Sequence, residues 1–147
     1  MGSGSVTRAE IEADLAAIRH NVGVLRSVAA PAAVMAVVKA DAYGLGAARV
    51  ARALADAGCT RFYVPWPAEG ARLRDVLGPA PEIAVFHGPT PDTLPAFEKH
   101  QLEPVLNSIP QVDLWQASSL AHRRASLHLD TGMNRLGVPR ADWAEAA

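Results

Sequence analysis

The chain has 147 residues, half of them hydrophobic, and a formal net charge of −1. That length buries a core in one soluble domain, and the near-neutral balance argues against nucleic acid or an anionic membrane as partner. The single cysteine, Cys59, excludes an intramolecular disulfide and a cysteine-rich metal site and suits a reducing compartment.

At the N-terminus, MGSGSVTRAEIEADL lacks the apolar centre of a secretory signal. Val6 stands where a myristoylation pattern needs Ser or Thr. No later run reaches the roughly 20 apolar residues of a membrane span, so the expected location is the cytoplasm. Asp14 caps a helix in which Leu15, Ile18, Val22 and Leu25 recur at helical spacing. Residues 33–38 read as a strand. Residues 46–57 read as a helix with Arg49, Arg52 and Asp56 on one polar stripe and Gly58 just past its end. Strand 61–64 precedes helix 67–77, which has Pro67 in its first turn and Gly78-Pro79 beyond its end. Strand 82–86, a short helix running from Thr90-Pro91 toward Lys99, strand 102–106 and a helix over 108–117 with Ser108 as cap come next. Strand 126–129 and a helix from Ala141 close the series.

Strands alternating with amphipathic helices imply parallel strands joined by right-handed crossovers. Two folds fit: an open, doubly wound sheet, or a (β/α)8 barrel. A whole barrel takes eight units in roughly 250 residues. About five are present, so the barrel reading is a partial (β/α)8 TIM-type barrel cut after its fifth strand.

In "AVVKADAYGLG", residues 36–46, the apolar run stops at Lys39. The carboxyl ends of parallel strands form the active face of such folds. There, burial and neighbouring groups can make a lysine a neutral nucleophile, suited to a Schiff base with an aldehyde such as pyridoxal phosphate (PLP). Tyr43 can offer a hydroxyl to the same place, while Gly44 and Gly46 allow a tight turn. "GLGAAR", residues 44–49, retains only the GxG part of a dinucleotide fingerprint, because Arg49 stands where the third glycine would pack.

"LHLDTGMNRLG", residues 127–137, carries the Asp-Thr-Gly of aspartic proteases. Those enzymes are all-β, whereas this chain alternates helix with strand. The motif reads instead as a polar turn that aims Arg135 back at the strand ends, where a guanidinium can hold a carboxylate or a phenolate oxygen. The five histidines have no tight ligand spacing, so no metal site is expected; His87 and His128 lie near strand ends, and His20 on a helix surface. Trp66, Trp115 and Trp143 are expected to pack.

Three segments agree at this point. "AVVKADAYGLG", "LHLDTGMNRLGV" and the opening "AEIEADLAAIRHNVGVLR" together resemble the bacterial alanine racemases of the PLP-dependent barrel type. The resemblance runs from about Thr7 to the end of the chain. It implies that Lys39 holds PLP as a Schiff base and serves as one of two bases flanking the alpha carbon. It implies that Tyr43 contacts the cofactor, that Phe86 packs near it, and that Arg135 bonds the phenolic oxygen and faces the substrate carboxylate. Many family members have a histidine at the place of Leu45. Many have a lysine, often carbamylated, at the place of His128, and its negative charge orients the arginine; a histidine carries no such carbamate.

Family members are homodimers. Their second base is a tyrosine in a C-terminal β domain contributed by the other subunit, and most phosphate contacts come from later barrel strands. Residues 1–12 would join that β domain, with Val6–Glu12 loosely held, and residues 13–147 would form the N-terminal part of the barrel. The function implied is interconversion of L- and D-alanine, with these residues lacking the second base and inactive alone. The alternative is a non-catalytic PLP-binding or interaction module that needs a complementary chain.

Overall fold

The computed structural model describes residues 11–146, in which helices and parallel strands alternate as the hydrophobic pattern demands. Of the Val6–Glu12 segment only Ile11 and Glu12 are among them. Helix α1 (Leu15–Ala29) is capped as expected, the Asp14 carboxylate accepting from the amides of Ala16 and Ala17 at 2.8 and 3.1 Å. Its packed face differs from the periodic one. Val22 is buried and Leu15 and Ile18 pack on the core, but Leu25 is 57% exposed. The face turns instead to Arg26, whose Nη1 donates to the Ala57 carbonyl at 2.8 Å, at the end of the neighbouring helix.

Strand β1 is short (Ala36–Val37) and is followed by the single turn α2 (Lys39–Tyr43) and helix α3 (Ala47–Asp56). Then come β2 (Arg61–Val64), α4 (Pro67–Leu77), β3 (Glu82–Val85), α5 (Leu94–Lys99), β4 (Glu103–Leu106), α6 (Ile109–Gln116) and β5 (Ser126–Leu127). A 3-10 turn (Arg140–Asp142) leads into α7 (Trp143–Ala146). Pro95 sits in the first turn of α5, where its missing N–H costs nothing, so the proline starts that helix rather than breaking it. Ser108 occupies the N-cap position of α6 but its side chain makes no capping bond, contrary to expectation. The Gln111 carboxamide instead reaches back to accept from the Asn107 amide at 2.8 Å.

The strands form one parallel sheet in the order β1-β2-β3-β4-β5. An open doubly wound sheet reverses its winding direction partway and so breaks chain order. An unbroken order with right-handed crossovers keeps every helix on one side, which is the wall of a (β/α)8 barrel. The partial-barrel reading therefore holds and the open sheet does not. Along β2 the side chains alternate: Phe62 and Val64 are buried, while Arg61 and Tyr63 are half-buried on the opposite face. Phe62, Val64, Ile83, Val85, Phe97 and Leu102 are at most 2% exposed and form the centre of the core, each contributing on the order of 1.5–3 kcal/mol by its burial.

The amino ends of the strands are closed by charge. Arg61, Glu82, Glu103 and Ser126 each open a strand. Arg61 Nη2 donates to Glu103 Oε1 and to Ser126 Oγ, which itself donates to Glu103 Oε1 at 2.6 Å. Glu82 is paired with Arg124 at 2.6 Å and approached by Arg61 Nε at 3.6 Å. Nearby, Arg74 donates to the carbonyls of Gly78, Pro81, His100 and Gln101, fixing the loops that enter β3 and β4. No helix among the described residues is long and apolar enough to cross a membrane.

Candidate functional site

At the opposite ends of the strands lies a cleft of about 540 Å³. Lys39 reaches it from the end of β1, Tyr43 from the turn that follows, Phe86 from the end of β3, and Arg135 from the loop after β5. All four residues singled out in the sequence thus line one cavity. His87 and His128 line it too. Lys39 is half-buried, with Nζ 5.8 Å from the centre of the Tyr43 ring. Phe86 stacks on Tyr63, with ring centres 5.0 Å apart, and gives the cleft a flat aromatic wall.

The backbone after Lys39 is unusual. Ala40, Asp41, Ala42 and Tyr43 all have φ between 51 and 57°, so four consecutive non-glycine residues follow a left-handed path. For L-residues this costs on the order of 1–2 kcal/mol each. The sequence suggests that Gly44 and Gly46 make the turn; in the structure the sharpest backbone precedes them. Hydrogen bonds hold it in place. The Ala42 amide donates to the Val38 carbonyl at 3.0 Å, the Gly44 amide to Ala40 O at 3.0 Å, and the Gly46 amide to Asp41 O at 2.9 Å. Two carboxylates tie the turn to its neighbours: Asp41 Oδ1 accepts from the Ala47 amide at 2.7 Å, and Glu69 Oε2 from the Ala40 amide at 3.1 Å. The amide that opens α3, which a dinucleotide phosphate would use, is therefore already taken by Asp41.

A second network lies under the cleft at β4. Asn107, buried at the end of that strand, donates through Nδ2 to the carbonyls of Phe86 (2.7 Å) and Val105 (2.9 Å). With both amide hydrogens committed, Oδ1 is the acceptor that faces His128 Nδ1 at 2.8 Å. The imidazole therefore carries its proton on Nδ1 and leaves Nε2 as an acceptor when neutral. Gln111 extends the network by donating to the His87 carbonyl at 2.9 Å.

Arg135 is exposed on a loop closed at its base, where the Val138 amide donates to His128 O at 2.8 Å and the Asp130 amide to Val138 O at 2.9 Å. The Asp130 carboxylate accepts from the amides of Gly132 and Asn134. Those bonds hold its carboxyl below the usual carboxylate range, with smaller help from the Met133 amide and from His128. Asp130 is thus spent on shaping the loop, as a polar turn and not as half of a catalytic dyad. Gly137, at φ 102°, passes so close to the His128 ring that a Cβ there would lie 3.1 Å from Cδ2.

Sequence reasoning missed Asn107, Glu69 and Trp66. Trp66 is expected to pack but is 52% exposed and stacks on His87, the ring centres 3.7 Å apart. Asn107 and Trp66 each lie one or two residues past a strand's end, a position that marks them in any parallel α/β fold. Glu69 has no such signal. Among the described residues no three His, Cys, Asp or Glu side chains gather as a metal site.

A family model described as "Alanine racemase, N-terminal domain" matches residues 13–147. The chain is 44% identical over 133 residues to an alanine racemase of Brucella suis and 45% identical over 143 residues to one of Jannaschia. These matches cover 88% and 97% of the chain but 34% and 40% of the relatives, so it spans little more than a third of their length. Among solved structures, alanine racemase from Bartonella henselae with covalently bound pyridoxal phosphate superposes with a TM-score of 0.83 at 34% identity. That match covers 90% of this chain and 39% of the other.

Proposed function

The chain belongs to the alanine racemase family through its N-terminal domain, and on that premise we propose that its cleft is the lysine-bearing part of a PLP site for the interconversion of L- and D-alanine. The observation that carries the reading is the meeting of Lys39, Tyr43, Phe86 and Arg135 around one cavity. The donor set suits the cofactor: a primary amine for its aldehyde, an aromatic wall for its ring, a hydroxyl, and a guanidinium for its phenolic oxygen. When bound, PLP supplies the aldehyde and an electron-accepting ring that acidifies the alpha hydrogen of an attached amino acid.

The protein's own residues do the rest. Lys39 holds the cofactor and, once an incoming amine displaces it, transfers a proton at one face of the alpha carbon. Arg135 orients the substrate carboxylate in fork geometry. Tyr43, beside Lys39, contacts the cofactor. Inversion also needs a proton-transfer group on the other face. In this reading that group is a tyrosine from a partner subunit's C-terminal domain, and residues 1–147 alone bind the cofactor without racemising.

A second reading, a PLP-binding module that pairs with a complementary chain, is favoured by one observation. The outer strands β1 and β5 each pair with a neighbour on one side only, and such edges invite pairing. The test of the first reading is a PLP titration followed by visible absorbance, borohydride reduction and peptide mapping. A saturable band, trapped on Lys39 and lost in Lys39→Ala, is the expected result. Labelling of Lys99 or the N-terminal amine as readily as Lys39 overturns it. Racemisation that appears only on mixing with a second piece carrying the later strands would favour pairing.

A further inference from the structure

We propose that Glu69 is a positioning residue for Lys39: from the first turn of α4 its carboxylate holds the Ala40 amide, and thereby the left-handed turn that aims Lys39 into the cleft. The inference rests on the reading of Lys39 as the residue that binds the cofactor's aldehyde.

Strand β1 makes its last sheet bond at Val38, whose amide donates to Tyr63 O at 3.0 Å. The strand ends there, the left-handed path begins at Ala40, and the Ala40 amide donates to no backbone carbonyl. Glu69 Oε2 takes that amide at 3.1 Å, a bond strengthened by the charge of its acceptor. Helix α4 presents Glu69 there because Pro67 starts the helix and puts Glu69 in its first turn, one helical step before Gly70 and Leu73 pack on the core. Glu69 thus stands on a rigid element, whereas the turn is built from strained residues.

The division of labour is plain in the contacts. Asp41 ties the far end of the turn to α3, and Glu69 ties its near end, one residue from Lys39, to α4. Releasing the far end would loosen Tyr43 and Gly44. Releasing the near end frees Lys39, and the strain in Ala40–Tyr43 then favours an ordinary right-handed or extended path. The core beneath, centred on Phe62, Val64 and Ile83, does not depend on this bond.

The experiment compares the chain with its Glu69→Gln and Glu69→Ala variants, first without PLP. In the unliganded protein, hydrogen exchange of the Ala40 amide and the ring-current shift that Tyr43 imposes on the Lys39 ε-methylene are read by NMR. With PLP added, the fraction of borohydride-trapped label on Lys39 is read by peptide mapping. Glu69→Ala should speed Ala40 exchange and lower Lys39 labelling by about tenfold each, and collapse the ε-methylene shift, with the circular dichroism unchanged. Glu69→Gln keeps an acceptor oxygen and should restore most of each signal. Wild-type exchange, shift and labelling in Glu69→Ala would overturn the proposal, as would a Glu69→Gln no better than Glu69→Ala. If the unaltered chain gave no Lys39-selective label, the proposed function would fail while the two PLP-free readouts still decided the role of Glu69.

Discussion

The two ends of the sheet spend their charges in opposite ways. At the amino ends, Arg61, Glu82, Glu103 and Arg124 are paired with one another, and Arg74 gives its donors to four carbonyls. At the carboxyl ends, Lys39 and Arg135 enter no ion pair among the described residues, although they line the same cleft. The backbone follows the same division, with isolated left-handed residues (Gly58, Gly78 and Gln101) in the loops at one end and four non-glycine left-handed residues in a row at the other. A charge closed by its neighbours stabilises; a charge held open on a strained support is available to a ligand. The contrast separates stability from chemistry within one small sheet.

It can be broken most severely at the amino ends. Glu103→Ala leaves the half-buried Arg61 guanidinium without its nearest carboxylate and with only Glu82 at 3.6 Å, which costs about 3 kcal/mol. Chemical denaturation should show that loss while the PLP midpoint of the folded protein stays put; a shifted midpoint with unchanged stability would erase the distinction. A smaller effect of mixed character is expected from Gly137→Ala. Its φ of 102° and the 3.0 Å from an added Cβ to the Asp130 amide should cost about 1–3 kcal/mol and displace the Arg135 loop. Alanine there should therefore weaken PLP binding as well as lower the melting temperature, whereas Glu103→Ala changes only the second.

The smallest effect is on pH. The Asp130 carboxyl is depressed in the folded chain by the Gly132 and Asn134 amides. Its contribution is therefore present above the ordinary carboxylate value and is lost as the pH falls through the lowered one. Protection of the Gly132 and Asn134 amides, measured as exchange relative to an unstructured chain at the same pH, should hold at about pH 5 and drop as pH falls below about 4, with the sheet still intact. Protection that fell on raising the pH, or did not change on lowering it, would contradict this account.

Much of this is legible in the residues. Asp14 caps because its side chain reaches amides two and three residues on, and Pro67 and Gly58 mark helix ends for reasons confined to their own backbone. Lys39 and Arg135 stand out because each interrupts or follows an apolar strand. Leu25 misleads because spacing does not say which neighbouring helix offers an acceptor, and Arg26 finds Ala57. Ser108 misleads because its side chain makes no capping bond, while the Gln111 side chain accepts from the Asn107 amide ahead of the helix.

The alternation of strands and helices, the lysine at the end of the first strand and the family motifs can be read from the residues alone, because these rest on short-range periodicity and local chemistry. That the strands lie in chain order as a barrel wall emerges only from the tertiary fold, since both candidate folds share the same alternation and differ in which strands become neighbours. Only it, too, brought Glu69 to the Ala40 amide and Asn107 to His128, partners separated in the chain by whole elements and joined because parallel strands end at the same place.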